Sequence, residues 1–346
     1  MYFVTGGTGF LGGQLCDALL ARGDSVAMLV RPSSRLAGNS ILNKSLSGVI
    51  IGDILDRDSL MAGMEGAEFC FHLAAMAKVW ASRKDDFYRV NVEGTKNVLE
   101  AAVASGIQKL VFVSTAGIYG PSQNGADVID ESGKFERRQK THYECSKYEA
   151  ELLVKEFAAA GKLDATIVNP TRIFGPGALS DSNVVTTVLV RILQRQTQFL
   201  PSSNAVGNYV FVGDVVRGML AAMASGQPGR NYILGGENTS WNELVQLMHD
   251  VTQQPNRVRL IPAALVNLIA LLSELRAKIL RWPPKITTAF VRKYKASYYL
   301  TSERAKVELG YSPVTLDEGL SRTVRWLENN SCAEPGDFQL RSDSFG

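Results

Sequence analysis

Short apolar runs alternate with stretches of helical period from the first residues of the chain. YFVT (2–5) is a continuous apolar run of strand length that ends in glycines. QLCDALLARG then repeats apolar positions three and four apart and stops at Gly23, as a helix closed by glycine does. SVAMLV is a second apolar run. The rhythm continues through GVIIGDILD (48–56), read as a strand ending in Asp53, the helical DSLMAGMEG, the strand EFCFHLAA and a helix through NVEGTKNVLEAAVASG. The strand KLVFVSTAGIYG, a helix over THYECSKYEAELLVKEF and the strand and loop ATIVNPTRIFGPG follow. Strands that are apolar on every position are buried on both faces, so these elements predict an α/β protein with a Rossmann-type doubly wound parallel sheet.

The first turn carries chemistry. Gly6, Gly9 and Gly12 stand three apart in GGTGFLG, between a strand and a helix, within a βαβ unit of about thirty residues. One glycine permits the sharp turn, another lets the backbone approach a pyrophosphate, and a third packs the helix against the strand. The phosphates would sit on the positive end of that helix. The pattern predicts dinucleotide binding. An acidic residue after the second strand would mark NAD, but SVAMLV runs into Arg31-Pro32-Ser33-Ser34, with Arg35 close behind, and Asp24 lies before the strand. A guanidinium matches a 2′-phosphate, so NADP(H) is expected over NAD(H). The competing reading makes Arg31 a solvated strand-end residue.

Composition narrows the class without changing it. In 346 residues, 37 Lys and Arg against 34 Asp and Glu leave a net charge of +3, too little to argue for nucleic acid. Four cysteines without CxxC spacing and three histidines suggest neither a disulfide framework nor a metal site. With strand and glycine turn starting at once, no targeting segment is expected. The longest apolar stretch, IPAALVNLIALLSEL (261–275), is too short to span a bilayer. A cytoplasmic protein is the expectation.

Asp53, His72 to Ala75, Ser114, Thr115 and Asn169 all fall at carboxyl ends of strands, the edge where a cofactor cleft forms. YECSK adds Tyr143 and Lys147, four apart on one helix face. A cationic lysine there would favour the phenolate and lower the Tyr143 pKa. Alone, the pair is equally a rung on an exposed helix.

GGTGFLG, GDILD, HLAA, VNVEGT, VSTAGIYG, YECSK and NPTRIFGPG, in this order and spacing, resemble an extended short-chain dehydrogenase/reductase over residues 1 to about 330. Within that superfamily the chain is most like the dihydroflavonol reductase and 3β-hydroxysteroid dehydrogenase branch, and it is similar to bacterial hopanoid-associated sugar epimerases. The resemblance implies that Tyr143 is the general acid/base, that Lys147 holds the nicotinamide ribose and tunes Tyr143, and that Thr115, with Ser114 next in line, binds the substrate oxygen. Asn91 would join a proton relay through water, or else satisfy backbone at a helix start. Cofactor contacts are implied at Gly6, Thr8, Gly9, Phe10, Leu11, Gly12, Arg31, Asp53, Ile54, Leu73, Ala74, Ala75, Asn169, Pro170 and Ile173, with Tyr143 and Lys147. Cys145 is expected to pack and His142 to point away. Residues 1–175, with 208–225 returning, would form the dinucleotide-binding domain, 176–330 a smaller α/β substrate-binding region, and 331–346 a flexible tail. The helices around 86–104 and 143–158 are expected to pair as a homodimer, Val90, Val92, Val98, Leu99, Ala102 and Val103 serving either interface or core.

Nucleotide-sugar members of the superfamily carry an arginine just before the strand equivalent to YVFVGD, where this chain has Gly207-Asn208. Residues 276–295 instead hold seven Lys and Arg and no acid, with Trp282, Phe290 and Tyr294. They read as a solvated basic helix capping the substrate region, or as a lid over an apolar substrate that rests on an anionic membrane. Three functions follow: an NADP(H)-dependent reductase or dehydrogenase of a largely apolar small molecule, an epimerase or dehydratase that keeps its cofactor, and a non-catalytic NADP-binding module. The intact Tyr143 and Lys147 speak against the third.

Overall fold

A computed structural model describes residues 1–331 apart from 35–45, 79, 82, 123–126, 180–182, 202–203, 255–257 and 281–287. Arg35, Trp282 and the expected tail beyond Ser331 lie outside the described residues.

The first half runs β1 (Tyr2–Thr5), α1 (Phe10–Ala21), β2 (Val26–Val30), β3 (Gly48–Ile51), α2 (Arg57–Met64), β4 (Phe69–His72), α3 (Asp85–Tyr88), α4 (Gly94–Ala104) and β5 (Lys109–Val113). The middle adds β6 (Val128–Ile129), α5 (His142–Ala159), β7 (Asp164–Pro170), β8 (Arg172–Phe174), α6 (Val184–Leu193), β9 (Gln198–Pro201), β10 (Val206–Phe211) and α7 (Val212–Ser225). The remainder is β11 (Asn231–Leu234), β12 (Glu237–Ser240), α8 (Trp241–Thr252), β13 (Val258–Ile261), α9 (Ala263–Leu280), α10 (Thr288–Lys295), β14 (Tyr299–Leu300), α11 (Glu303–Leu309) and α12 (Leu316–Ser331).

Seven strands make one parallel sheet in the order β11-β7-β5-β4-β1-β2-β3. The chain winds outward from β1 to β3, then crosses back to β4, and a ligand crevice opens where that direction switches. Successive residues of β1 point to opposite faces. Val4 packs with Leu15, Leu19, Met28, Val215 and Met219 beneath α1 and α7. Phe3 packs with Leu60, Met64, Val98, Leu99 and Val154 beneath α2, α4 and α5.

Two expectations change. The run 48–56 pairs only over Gly48–Ile51, because the Asp53 carboxylate accepts from Leu55 N–H at 3.0 Å and turns the chain. Of the residues offered for an interface, Val98, Leu99 and Ala102 are spent in the core. Val103, 40% exposed, and Leu152 of α5, 47% exposed, are the large apolar side chains α4 and α5 leave at the surface among the described residues.

After β7 the chain builds a smaller body. β8, β10 and β12 form a three-stranded sheet. Phe174, Leu189, Trp241, Leu244, Leu320 and Leu327 make its core with α6, α8 and α12. Further on, Val266 and Ala270 of α9 pack against Val291 of α10.

Candidate active site

A cleft of about 620 Å³ runs from the glycine turn, past the carboxyl ends of β1, β4 and β5, to the smaller body. Gly6, Thr8, Gly9, Phe10, Leu11 and Gly12 line it, together with Arg31, Asp53, Ile54, Leu73, Ala74, Ala75, Ser114, Thr115, Tyr143, Lys147, Pro170 and Ile173. The three glycines have separate reasons. Gly6 has φ +77°, and a Cβ there would lie 2.6 Å from Ala74 N. A Cβ on Gly12 would overlap the Gly6 carbonyl, so Gly12 closes the turn on itself. At Gly9 a Cβ would meet only the Gly6 carbonyl oxygen, at 3.3 Å, and its other side faces the cleft. Of the three, Gly9 is the one its own fold crowds least, and its open side is where a phosphate can approach the backbone. Helix α1 starts at this point without a side-chain cap, which leaves its positive end to a ligand. These residues fit a dinucleotide.

Buried hydrogen bonds tie the cradle to the strands. Ala74 N–H donates to Thr5 Oγ1 at 3.3 Å, and Thr5 lies 2.7 Å from His72 Nδ1. His72 Nε2 lies 3.0 Å from Thr95 Oγ1, which donates to the Asn91 carbonyl at 2.6 Å. Thr95 has committed its hydrogen, so His72 donates from Nε2 and accepts at Nδ1, a neutral imidazole. Burial first, and Lys147 second, hold the His72 pKa down at about 3, which keeps it neutral at pH 7.

The chemical end is organised by α5. Thr141 and Glu144 form a reciprocal capping box, with Glu144 N–H donating to Thr141 Oγ1 at 3.3 Å and Thr141 N–H donating to Glu144 at 2.9 Å. That start places Tyr143, Lys147 and Glu151 one turn apart on one face, with Tyr143 and Lys147 in the cleft. Thr115 stands beside them, two residues beyond β5, where it caps the short turn Ala116–Ile118. Its Oγ1 accepts from Gly117 N–H at 3.1 Å, and its own hydrogen is left to donate. Lys140 fastens this loop to α5 through the carbonyls of Gly117, at 2.9 Å, and Tyr119.

The electrostatics differ from the sequence expectation. Burial, reinforced by Glu144, raises the Tyr143 phenol above its ordinary range. Burial also lowers Lys147 to about 7, against an upward pull from Glu151, and its ammonium sits 4.0 Å over the Phe112 ring. A lysine that sheds its proton near neutrality is a weak source of positive charge, so in the protein alone it does not lower the tyrosine.

Two predicted contacts lie behind the cleft rather than in it. Asn91 is not at a helix start but in a π-helical turn, Arg89–Glu93. It accepts from Met76 N–H at 2.7 Å and donates to Ser146 Oγ at 2.9 Å, bracing the loop after β4 against α5. Asn169 donates to Glu151 at 2.6 Å and to the Thr115 carbonyl at 3.3 Å, and accepts from Asn231 at 2.9 Å. Buried Ser114 lies close enough to Glu151 to help lower its carboxyl pKa, which burial otherwise raises. Cys145 is buried in α5. His142 meets Tyr88 at 3.4 Å, away from the lining.

Sequence reasoning missed the far wall: Arg172, Val184, Val185, Tyr209 and Trp241. Arg172 donates to Tyr209 Oη at 2.9 Å and lies where any side chain at position 207 would stand. The sequence signal was Gly207 itself. Its lack of a side chain makes room for an arginine from the neighbouring strand.

The NAD dependent epimerase/dehydratase family model matches residues 2–235. The chain belongs to that family. Among relatives, sterol demethylase protein B of Methylococcus capsulatus is 32% identical over 94% of this chain and 97% of its own. The 4-hydroxy-2-methyl-3-oxo-4-farnesyl-3,4-dihydroquinoline-1-oxide ketoreductase of Stigmatella aurantiaca is 30% identical over 92% and 94%. The UDP-glucose 4-epimerase of Thermus thermophilus, solved with NAD, superposes with a TM-score of 0.75 at 25% identity, covering 94% of this chain and 98% of that one. As a member of the epimerase/dehydratase family, the protein is an NAD(P)-dependent enzyme of the extended short-chain dehydrogenase/reductase type.

Proposed function

We propose that this enzyme interconverts a ketone and a secondary alcohol on a largely apolar small molecule, using NADP(H). The observation that carries the reading is the single cleft joining the glycine cradle to Tyr143, Lys147 and Thr115 and, beyond them, to a wall of Ile173, Val184, Val185 and Trp241 beside the Arg172–Tyr209 pair. The cofactor, held by Gly9, the α1 N-terminus and Arg31, supplies hydride chemistry when bound. The chain's own residues do the rest. Thr115 donates its hydroxyl hydrogen to the substrate oxygen, and Tyr143 Oη passes the proton to or from that oxygen. Lys147 holds the nicotinamide ribose. Asn169 and Glu151 keep the Thr115 strand end and α5 in register.

The division expected at residue 175 shifts, because β8 and β10 belong to the smaller sheet and β11 to the central one: in this reading residues 1–170 with α7 and β11 serve the cofactor, and β8, β10, β12, α6, α8 and α12 serve the substrate. A sugar or nucleotide-sugar epimerase or dehydratase with retained NAD is supported by the family match and by the NAD-bound neighbour. The aliphatic and indole part of the wall, Ile173, Val184, Val185 and Trp241, favours the reductase, while Arg172, which fills the space beside Gly207, is the group an epimerase would turn to a diphosphate. The two separate by stoichiometry: in the presence of a cyclic or aryl ketone panel, a reductase oxidises one NADPH per product. Isomerisation of a sugar substrate with no net cofactor change would overturn the proposal. Cofactor choice has its own test. Arg31→Asp should weaken NADPH binding by ten-fold or more, on the scale of roughly 2 kcal/mol for a charge-assisted contact, and leave NADH binding within about two-fold. Equal loss for both would rule out a 2′-phosphate contact.

A further inference from the structure

We propose that helix α9 is a bilayer-docking face, which lies flat on an anionic lipid surface through its exposed leucines. The helix exposes Leu265, Leu268, Ile269, Leu271, Leu272 and Leu275, each by 44–57%. At 100° per residue these six fall within one arc of roughly 160°. Val266 and Ala270, which are buried, occupy the opposite side and face Val291 of α10. Scattered exposed leucines are ordinary, but a contiguous apolar arc along one helix marks a surface that something covers.

Three occupants are conceivable, and the surroundings select one. A lid over the cleft would bring α9 into its wall, yet none of the described lining residues belongs to α9. A second copy would meet the same charge it carries: residues 276–295 hold seven Lys and Arg and no acid, and Arg276, Arg292 and Lys295 are exposed on the hairpin. Two such basic hairpins repel, whereas an anionic headgroup layer attracts them. No described helix is long and apolar enough to cross a membrane. An 18-residue helix with one apolar arc and one side packed on its neighbour lies in the interface plane instead. The hairpin is held as a unit, because Glu274 of α9 accepts from Thr288 N–H at 2.6 Å and so caps α10.

The test is co-sedimentation of the full chain with vesicles, which does not depend on the reaction assigned above. The wild type should sediment with vesicles of phosphatidylglycerol and phosphatidylcholine, and much less with phosphatidylcholine alone. Leu268→Glu/Leu272→Glu, at positions 52% and 57% exposed, should lower that binding at least ten-fold while the thermal midpoint stays put. Val307→Glu on α11, at a residue 75% exposed, is the control and should bind as wild type. Arg292→Gln/Lys295→Gln should weaken binding roughly five-fold per charge removed and gives a second readout should the glutamate variant unfold. A wild type that stays in the supernatant with the anionic vesicles overturns the proposal. So does a leucine double variant that binds undiminished, or one that merely disperses a dimer seen by light scattering.

Discussion

Lys147 is a costly residue in a useful place. Its amine has a folded pKa near 7 against an ordinary 10.5, because burial disfavours the charge. Between pH 10.5 and 7 the unfolded chain therefore carries a proton that the folded chain does not, and stability falls as pH drops through that window and levels off below about 7. Lys147→Met keeps the stem and removes the amine. It should raise the thermal midpoint at pH 7 and have little effect near pH 10, a difference read directly by calorimetry at both values. The same variant should lose turnover and cofactor affinity, stability having been traded for function. Tyr143→Phe should lower turnover by roughly two to four orders of magnitude with cofactor affinity nearly unchanged, the scale of general acid–base catalysis. Wild-type rates in that variant, with chemistry shown to be rate-limiting, would remove Tyr143 from the mechanism.

At the scale of elements, α5 sets the position of the reactive groups and its capping box sets the start of α5. Thr141→Ala deletes the hydroxyl that accepts from Glu144 N–H and should lower stability by roughly 1 kcal/mol. Tyr143 is two residues past the cap, so fraying of that turn should also reduce kcat more than it raises the KM for cofactor. Denaturant unfolding alongside steady-state kinetics checks both, and Thr141→Ser should restore both. The π-helical turn at Arg89–Glu93 works differently. It directs the Asn91 side chain to Met76 and Ser146 together, joining the loop after β4 to α5. Asn91→Ala should loosen that loop, seen as faster amide exchange around residues 74–77, rather than act as loss of a proton relay.

Over the whole molecule, the central sheet is covered on both faces and the α4 and α5 surface keeps few large apolar side chains. A homodimer that used this face, as the sequence led us to expect, would centre on Val103 and Leu152. Light scattering of the Val103→Glu/Leu152→Glu variant should then give half the mass of the wild type at micromolar concentration. Equal masses would exclude this face.

How much was legible in the sequence follows from the range of the forces involved. Strand and helix order, the glycine turn and the Tyr143/Lys147 face were readable because period, turn geometry and i to i+4 spacing act over a few residues. Their convergence on one sheet edge followed too, since a doubly wound sheet leaves few topologies. What the tertiary structure decided is longer in range. Asn169 and Glu151 are 18 residues apart and meet Asn231 from another strand, so no local pattern could show that Asn169 braces Thr115 from behind the cleft. The direction of the pKa shifts at Tyr143 and Lys147 depended on burial, which is a sum over the whole fold and outweighed their proximity on the helix. Arg172 lies in the cleft in the space that a glycine on the adjacent strand leaves, a packing relation between positions 35 residues apart in the sequence.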